Sequence, residues 1–211
     1  VSLYVADGEA VRLKSVTSEG QTVACPSIGD LTIPLLGAHQ RKNAAVVLTT
    51  LHVLKRRGWQ IPTEAIHCGL STVRWPGRFQ VLSMQPVVIV DGGHNPQCLE
   101  ALIQAMRELF REKKPVFVFG CLADKDVNAM IDILLTVSDA FFTIAPESSR
   151  ALDASDLARM IVQRGGCAQA CDSATQALRL AAARAGHDGL VCACGSLYNI
   201  PGVMDALKAW S

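Results

Sequence analysis

No sign of charge dominates this chain: 20 Lys and Arg stand against 19 Asp and Glu, a formal net charge of +1. No broad field is therefore available to hold a nucleic-acid backbone or an anionic membrane surface. No apolar run approaches the roughly 20 residues that cross a bilayer, and no basic segment followed by a hydrophobic stretch opens the chain. Cysteine is sparse as well. Eight in 211 residues fall below the density of a small disulfide scaffold, and most sit in apolar runs such as VFVFGC (Cys121) and LVCAC (Cys192, Cys194). They read as buried reduced thiols. Cys167 and Cys171 could supply two zinc ligands, but no second His or Cys pair at finger spacing follows, so no metal is assigned. The expected location is the cytoplasm, with neither nucleic acid nor membrane as partner. Repeats and low-complexity segments are missing too.

What is present is a core-forming composition, 50% hydrophobic and 18% charged. At about 150 residues per domain, the length suggests one compact domain plus an attached piece. The opening stretch to about Asp30 is short, mixed and strand-like. Val47, Leu48, Leu51 and Leu54 recur at helical spacing and predict a helix from about Lys42 to Arg57, stopped by Gly58. A second predicted helix is capped by Thr63 and runs to about Leu70. Trp75-Pro76-Gly77-Arg78 breaks both helical and strand periodicity, so a boundary is placed just after it, dividing residues 1–79 from 80–211.

Beyond Gln80, apolar runs of strand length alternate with helical periodicity, the pattern of an α/β domain with a mainly parallel sheet flanked by helices. The strands are expected at 86–92, 115–121, 140–146 and 189–196, with a weaker one at Cys167 to Cys171. Helices are expected near 96–112, 126–138, 154–164, 173–185 and 197–210. In the first of these, Leu99, Leu102, Ile103, Met106, Leu109 and Phe110 share one face.

In such sheets, ligands bind at the carboxyl ends of the strands. The loop Asp91-Gly92-Gly93-His94-Asn95-Pro96 directly follows a strand and precedes the amphipathic helix. Its glycines permit a sharp turn, Asn95 can cap, and Pro96 suits the first helical position. The helix mouth attracts anions. A structural turn has no evident use for Asp91 and His94 on its rim, whereas a carboxylate can accept from ribose hydroxyls or hold a cation, and an imidazole can donate to phosphate. The local chemistry points to a phosphate or nucleotide.

GAHQRKNAA (37–45), RWPGRFQVL (74–82) and the strand ending in DGGHNP (91–96), with Gly120, Asp124-Lys125-Asp126 and GSLY (195–198), resemble the second half of folylpolyglutamate synthase. That family often also carries dihydrofolate synthase activity and belongs to the Mur-type ATP-dependent amide ligases. The resemblance spans nearly the whole chain; Gly93 stands where the family more often has Ala. It implies a Rossmann-like carboxyl-terminal domain preceded by a remnant of a central ATPase domain. It further implies that Asn43 contacts adenine, that Arg78 reaches the ATP phosphates from the interdomain hinge, and that Asp91 and His94 close over the nucleotide as catalytic residues. Ser196 would lie near the incoming amino acid and Lys125 near a substrate carboxylate.

The implied reaction joins L-glutamate to a folate carboxylate, of tetrahydrofolate or dihydropteroate, through an acyl phosphate made from ATP with Mg²⁺. Phosphoryl transfer of this kind needs a Gly-rich phosphate loop with its Lys, and no G-x-x-x-x-G-K-[ST] stretch occurs here. The resemblance therefore implies that this loop, the magnesium ligands and most of the folate pocket belong to a missing amino-terminal ATPase part. The chain alone is expected to be inactive, and the whole enzyme monomeric. Two other readings stay open: a Mur-type ligase for a different carboxylate and amino acid, and a non-catalytic nucleotide-binding module.

Overall fold

The computed structural model describes residues 3–209 and divides into two compact units, Val1–Pro76 and Gly77–Ser211. In the first, β1 (Arg12–Thr17), β2 (Gly20–Cys25) and β3 (Gly29–Ile33) form an antiparallel meander. Alternation sets its inner face: Leu31 and Ile33 are buried while Asp30 and Thr32 are exposed. Two helices follow, α1 (Ala38–Arg56) and α2 (Thr63–Thr72).

Both helices differ from expectation at their ends. The first starts four residues before Lys42, at a Gly37 that provides no side-chain cap, and no acidic residue marks its first turn. Its fully buried contacts are Gln40, Ala44 and Ala45; Leu48, Leu51 and Leu54 are half-buried and Val47 is exposed. Ala44 and Ala45 join the buried cluster of the meander and Leu48 packs against it, so only one residue of the expected stripe faces that core. In α2, Thr63 is the first helical residue, and Pro62 occupies the cap position without a side-chain bond.

The second unit is a six-stranded sheet in the order β4-β5-β9-β6-β7-β8. Its strands are β4 (Gln80–Met84), β5 (Val87–Val90), β6 (Pro115–Phe119), β7 (Ala140–Thr143), β8 (Cys167–Ala170) and β9 (Leu190–Cys194). All pairings are parallel except β4 with β5. The edge strand β4 escaped the sequence reading because its residues are half-buried and exposed, with no continuous apolar run. By contrast β5, β6 and β9 are buried at every residue, the state expected of parallel strands covered on both faces.

Helices α3 (Pro96–Leu109), α4 (Val127–Leu135), α5 (Ala154–Gln163), α6 (Ala174–Ala185) and α7 (Ile200–Lys208) cover the sheet. On α3 the apolar face buries Leu99, Leu102, Ile103 and Met106, while Leu109 and Phe110 are only half-buried and end the helix. The expected last helix is split: a 3₁₀ turn at Leu197–Asn199 precedes α7, and residue 210 lies outside the described residues. The last strand, β9, is inserted between β5 and β6; α3, which follows β5, packs with α4, whereas α7, which follows β9, packs with α6 on the other face, so the side to which the chain departs reverses between these neighbours. Such a reversal leaves a crevice at the carboxyl ends of the strands.

Candidate functional site

Three loops meet at that reversal, and backbone hydrogen bonds join them. After β5, the Asp91 N–H donates to the Ala193 carbonyl at 2.9 Å and the Gly92 N–H to the Gly77 carbonyl at 2.7 Å. After β9, the Gly195 N–H donates to the Gly93 carbonyl at 3.0 Å. Gly195 has φ +100°, and a Cβ there would stand 2.5 Å from the Gly120 carbonyl oxygen, so only glycine fits. After β6, the Gly120 carbonyl accepts from Asn199 Nδ2 at 2.7 Å, and the same amide donates to the Cys194 carbonyl at 3.3 Å. Asn199 is 3% exposed, and sequence reasoning missed it because a buried Asn one residue past GSLY looks like any loop amide.

Asp91 is not on the rim. Its carboxylate is 6% exposed; Oδ2 accepts from the Phe79 N–H at 2.8 Å and Oδ1 from the Gly93 N–H at 2.6 Å. The expectation that a turn has no structural use for this acid is corrected: it ties the segment after Pro76 to the loop after β5 and satisfies two buried amides. Phe79, 2% exposed, sits at φ 39°, a left-handed conformation unusual for an aromatic residue. Beneath the loop the thiols are neutral. Burial pushes Cys121 up to about 12, and a hydrogen bond with Cys192, then burial, hold Cys194 well above its ordinary value, with the Asp91 charge adding to the effect.

His94 is half-buried, with Nδ1 3.1 Å from the Gly92 carbonyl. A carbonyl only accepts, so Nδ1 carries the proton and Nε2 remains for a second partner. The α3 mouth follows as expected: Asn95 Oδ1 accepts from the Cys98 N–H at 2.9 Å and Pro96 occupies the first turn. The loop thus has a buried, stitched first half, Asp91 to Gly93, and a second half from His94 that reaches the surface.

Arg78, Asp91, His94, Lys125 and Ser196 all lie in the second unit. Arg78 is half-buried between Gly77 and Phe79, both bonded to the Asp91–Gly93 turn. Ser196 is 2% exposed and its Oγ accepts from the Tyr198 N–H at 3.3 Å, capping the 3₁₀ turn. Lys125 sits on the exposed loop after β6, with Nζ 3.9 Å from Asp124 Oδ2, and Asp126 caps α4. Asn43 belongs to the first unit; it is exposed on α1, where Nδ2 donates to Gln40 Oε1 at 3.0 Å.

A cavity of about 660 Å³ opens over the ends of β7 and β8 and is bounded on one side by Tyr198 and Asn199. Its charged lining is Glu147, Asp153, Asp172 and Asp205. Four acids and no base make it unsuited to phosphate. Among the described residues, no group of three or more His, Cys, Asp or Glu is arranged to hold a metal ion, and none of their helices is long and apolar enough to cross a membrane.

The model of the Mur ligase, glutamate ligase domain matches residues 77–197, which include all three loops. The chain belongs to this family. The dihydrofolate synthase/folylpolyglutamate synthase of Escherichia coli is 32% identical over 183 residues, covering 87% of this chain and 41% of that protein. The solved structure of Mycobacterium tuberculosis folylpolyglutamate synthase complexed with ADP matches with a TM-score of 0.80 at 26% identity, covering 93% of this chain and 46% of that one. A bifunctional folylpolyglutamate synthase/dihydrofolate synthase with Mn, AMPPNP and L-glutamate bound matches at 0.71 and 30% identity, over 94% of this chain. The family member described here thus spans less than half the length of these relatives.

Proposed function

We propose that this chain is the carboxyl-terminal part of an ATP-dependent ligase that adds L-glutamate to a folate carboxylate, of the folylpolyglutamate synthase type. One observation carries the reading: the Asp91–Asn95 turn, fixed to the Gly77–Phe79 segment at the sheet reversal, brings Arg78, His94 and the open mouth of α3 to one end of the sheet. A guanidinium, an imidazole that offers Nε2–H when protonated and the positive end of a helix suit phosphate oxygens. The likeness to an ADP-complexed synthase over 93% of the chain supports it.

In this reading, Arg78 and His94 neutralise charge on the ATP phosphates, and Asn43 of the first unit, part of the ATP-binding domain, contacts adenine. Asp91 serves by holding the two phosphate-facing segments together. The folate carboxylate attacks the γ-phosphorus, ADP leaves, and the glutamate amine displaces phosphate from the acyl phosphate to form the amide. Ser196 stands near the incoming glutamate and Lys125 near a substrate carboxylate. The magnesium ligands, the phosphate loop and the folate pocket are assigned to the length that the relatives carry beyond this chain. A cytoplasmic location is part of the same reading.

In the full-length ligase carrying this chain, phosphate release should require ATP, folate and L-glutamate together, and His94→Ala should lower kcat/KM about 100-fold, the scale of one lost electrostatic contact. Release that needs another amino acid in place of glutamate would assign the chain to a different Mur-type ligase. Unchanged kinetics in His94→Ala would remove the loop from the mechanism.

A further inference from the structure

We infer that Phe79 is a positioning residue: its left-handed backbone and buried ring, secured by Asp91, fix the point from which the Arg78 side chain departs. The inference rests on the reading above in which Arg78 meets the ATP phosphates. Phe79 is the one non-glycine residue with positive φ among the described residues, at 39°. An aromatic side chain does not adopt that region without cost, and it persists only where the surroundings over-determine it.

Four bonds supply that determination. The Phe79 N–H is held at 2.8 Å by the buried Asp91 carboxylate, which also holds the Gly93 N–H at 2.6 Å. On the other side of Arg78, the Gly77 carbonyl accepts from the Gly92 N–H at 2.7 Å and the Gly77 N–H donates to Gln80 Oε1 at 3.2 Å. Gln80 then enters β4 opposite Val90, the residue before Asp91. Arg78 is therefore the middle member of a triplet whose outer residues are pinned to the loop that carries His94, so the spacing between the backbones of Arg78 and His94 is set by these bonds. Such anchoring helps because the backbone that carries a long, flexible side chain is already ordered, and only the side chain's rotamers remain to be fixed when the ligand binds. Nothing in the family motif RWPGRFQVL distinguishes this task from ordinary core packing.

The test is a double-mutant cycle in the full-length ligase, with KM for ATP, kcat and the thermal midpoint measured for each variant. Phe79→Gly removes the ring and releases the backbone; it should raise KM for ATP about tenfold. Phe79→Leu, which keeps an apolar side chain at the same strained position, should stay within about threefold. Combined with Arg78→Ala, Phe79→Gly should add less than about twofold to the loss that Arg78→Ala causes alone. Multiplied losses would show that Phe79 does not act through Arg78 and would overturn the inference while leaving the functional reading intact. A normal KM for ATP in Arg78→Ala would overturn the phosphate role of Arg78, and the inference with it. If Phe79→Gly does not fold, Phe79→Ala, which removes the ring at the same backbone, enters the same cycle, and multiplied losses there carry the same refutation.

Discussion

After β5 the chain places an aspartate, Asp91, that is 6% exposed and accepts two backbone N–H groups, whereas after β6 it places Asp124, exposed and paired with Arg150 at 3.0 Å. Both loops follow buried parallel strands, and both end in an Asx-capped helix, Asn95 for α3 and Asp126 for α4. The difference lies in what each carboxylate satisfies. Asp91 replaces water for two amides that have no solvent, so its removal leaves buried donors unpaired. Asp124 exchanges one set of solvated contacts for another, which contributes little. A motif in the first loop is thus architecture as much as chemistry, while the second loop keeps its side chains available.

The contrast can be broken or sharpened in three ways. The largest effect concerns Cys121, which opens the second loop from inside the core. With its thiol pushed up to about 12, only about one part in ten thousand is thiolate at pH 8. Cys68 and Cys167 are exposed and should react with a disulfide reagent at ordinary rates, while Cys121 stays silent until the chain unfolds. The pH profile follows the sign of the shift: any native-state reaction of Cys121 keeps accelerating as pH rises toward that value. A fast phase assigned to Cys121 near pH 8 would mean that the base of the second loop is open.

Next in size, Asp91→Ala should lower the urea unfolding free energy of this chain by about 2 to 4 kcal/mol, since two buried N–H groups lose their acceptor. Smallest, Asp124→Ala should cost less than about 1 kcal/mol. Equal losses in the two variants would erase the distinction between the loops. A large loss in Asp91→Ala also changes how its kinetics must be read, because lowered turnover then includes a lowered folded fraction.

Much of this was legible in the sequence, for reasons that also explain the remainder. The buried strands β5, β6 and β9 appear as unbroken apolar runs because both their faces are covered, and Asn95-Pro96 announces the α3 mouth through local chemistry alone. β4 was illegible because an edge strand has no such run, and the early start of α1 because Gly37 leaves no capping signal. The part of the site that went unread depends on distance along the chain. Asp91 and Phe79 are twelve residues apart, and nothing in local periodicity says that one will hold the other's amide. Asn199, reaching Gly120 across 79 residues, escaped for the same reason.

Native-state hydrogen exchange on this chain asks most directly whether the Asp91 carboxylate belongs to the backbone. The amides of Phe79 and Gly93 should exchange slowly, near the rate set by global unfolding, with the protection of both lost in Asp91→Ala while Leu99 in α3 keeps its own relative to global stability. Rapid exchange at Phe79 and Gly93 in the unaltered chain, at rates typical of an exposed loop, would contradict the account.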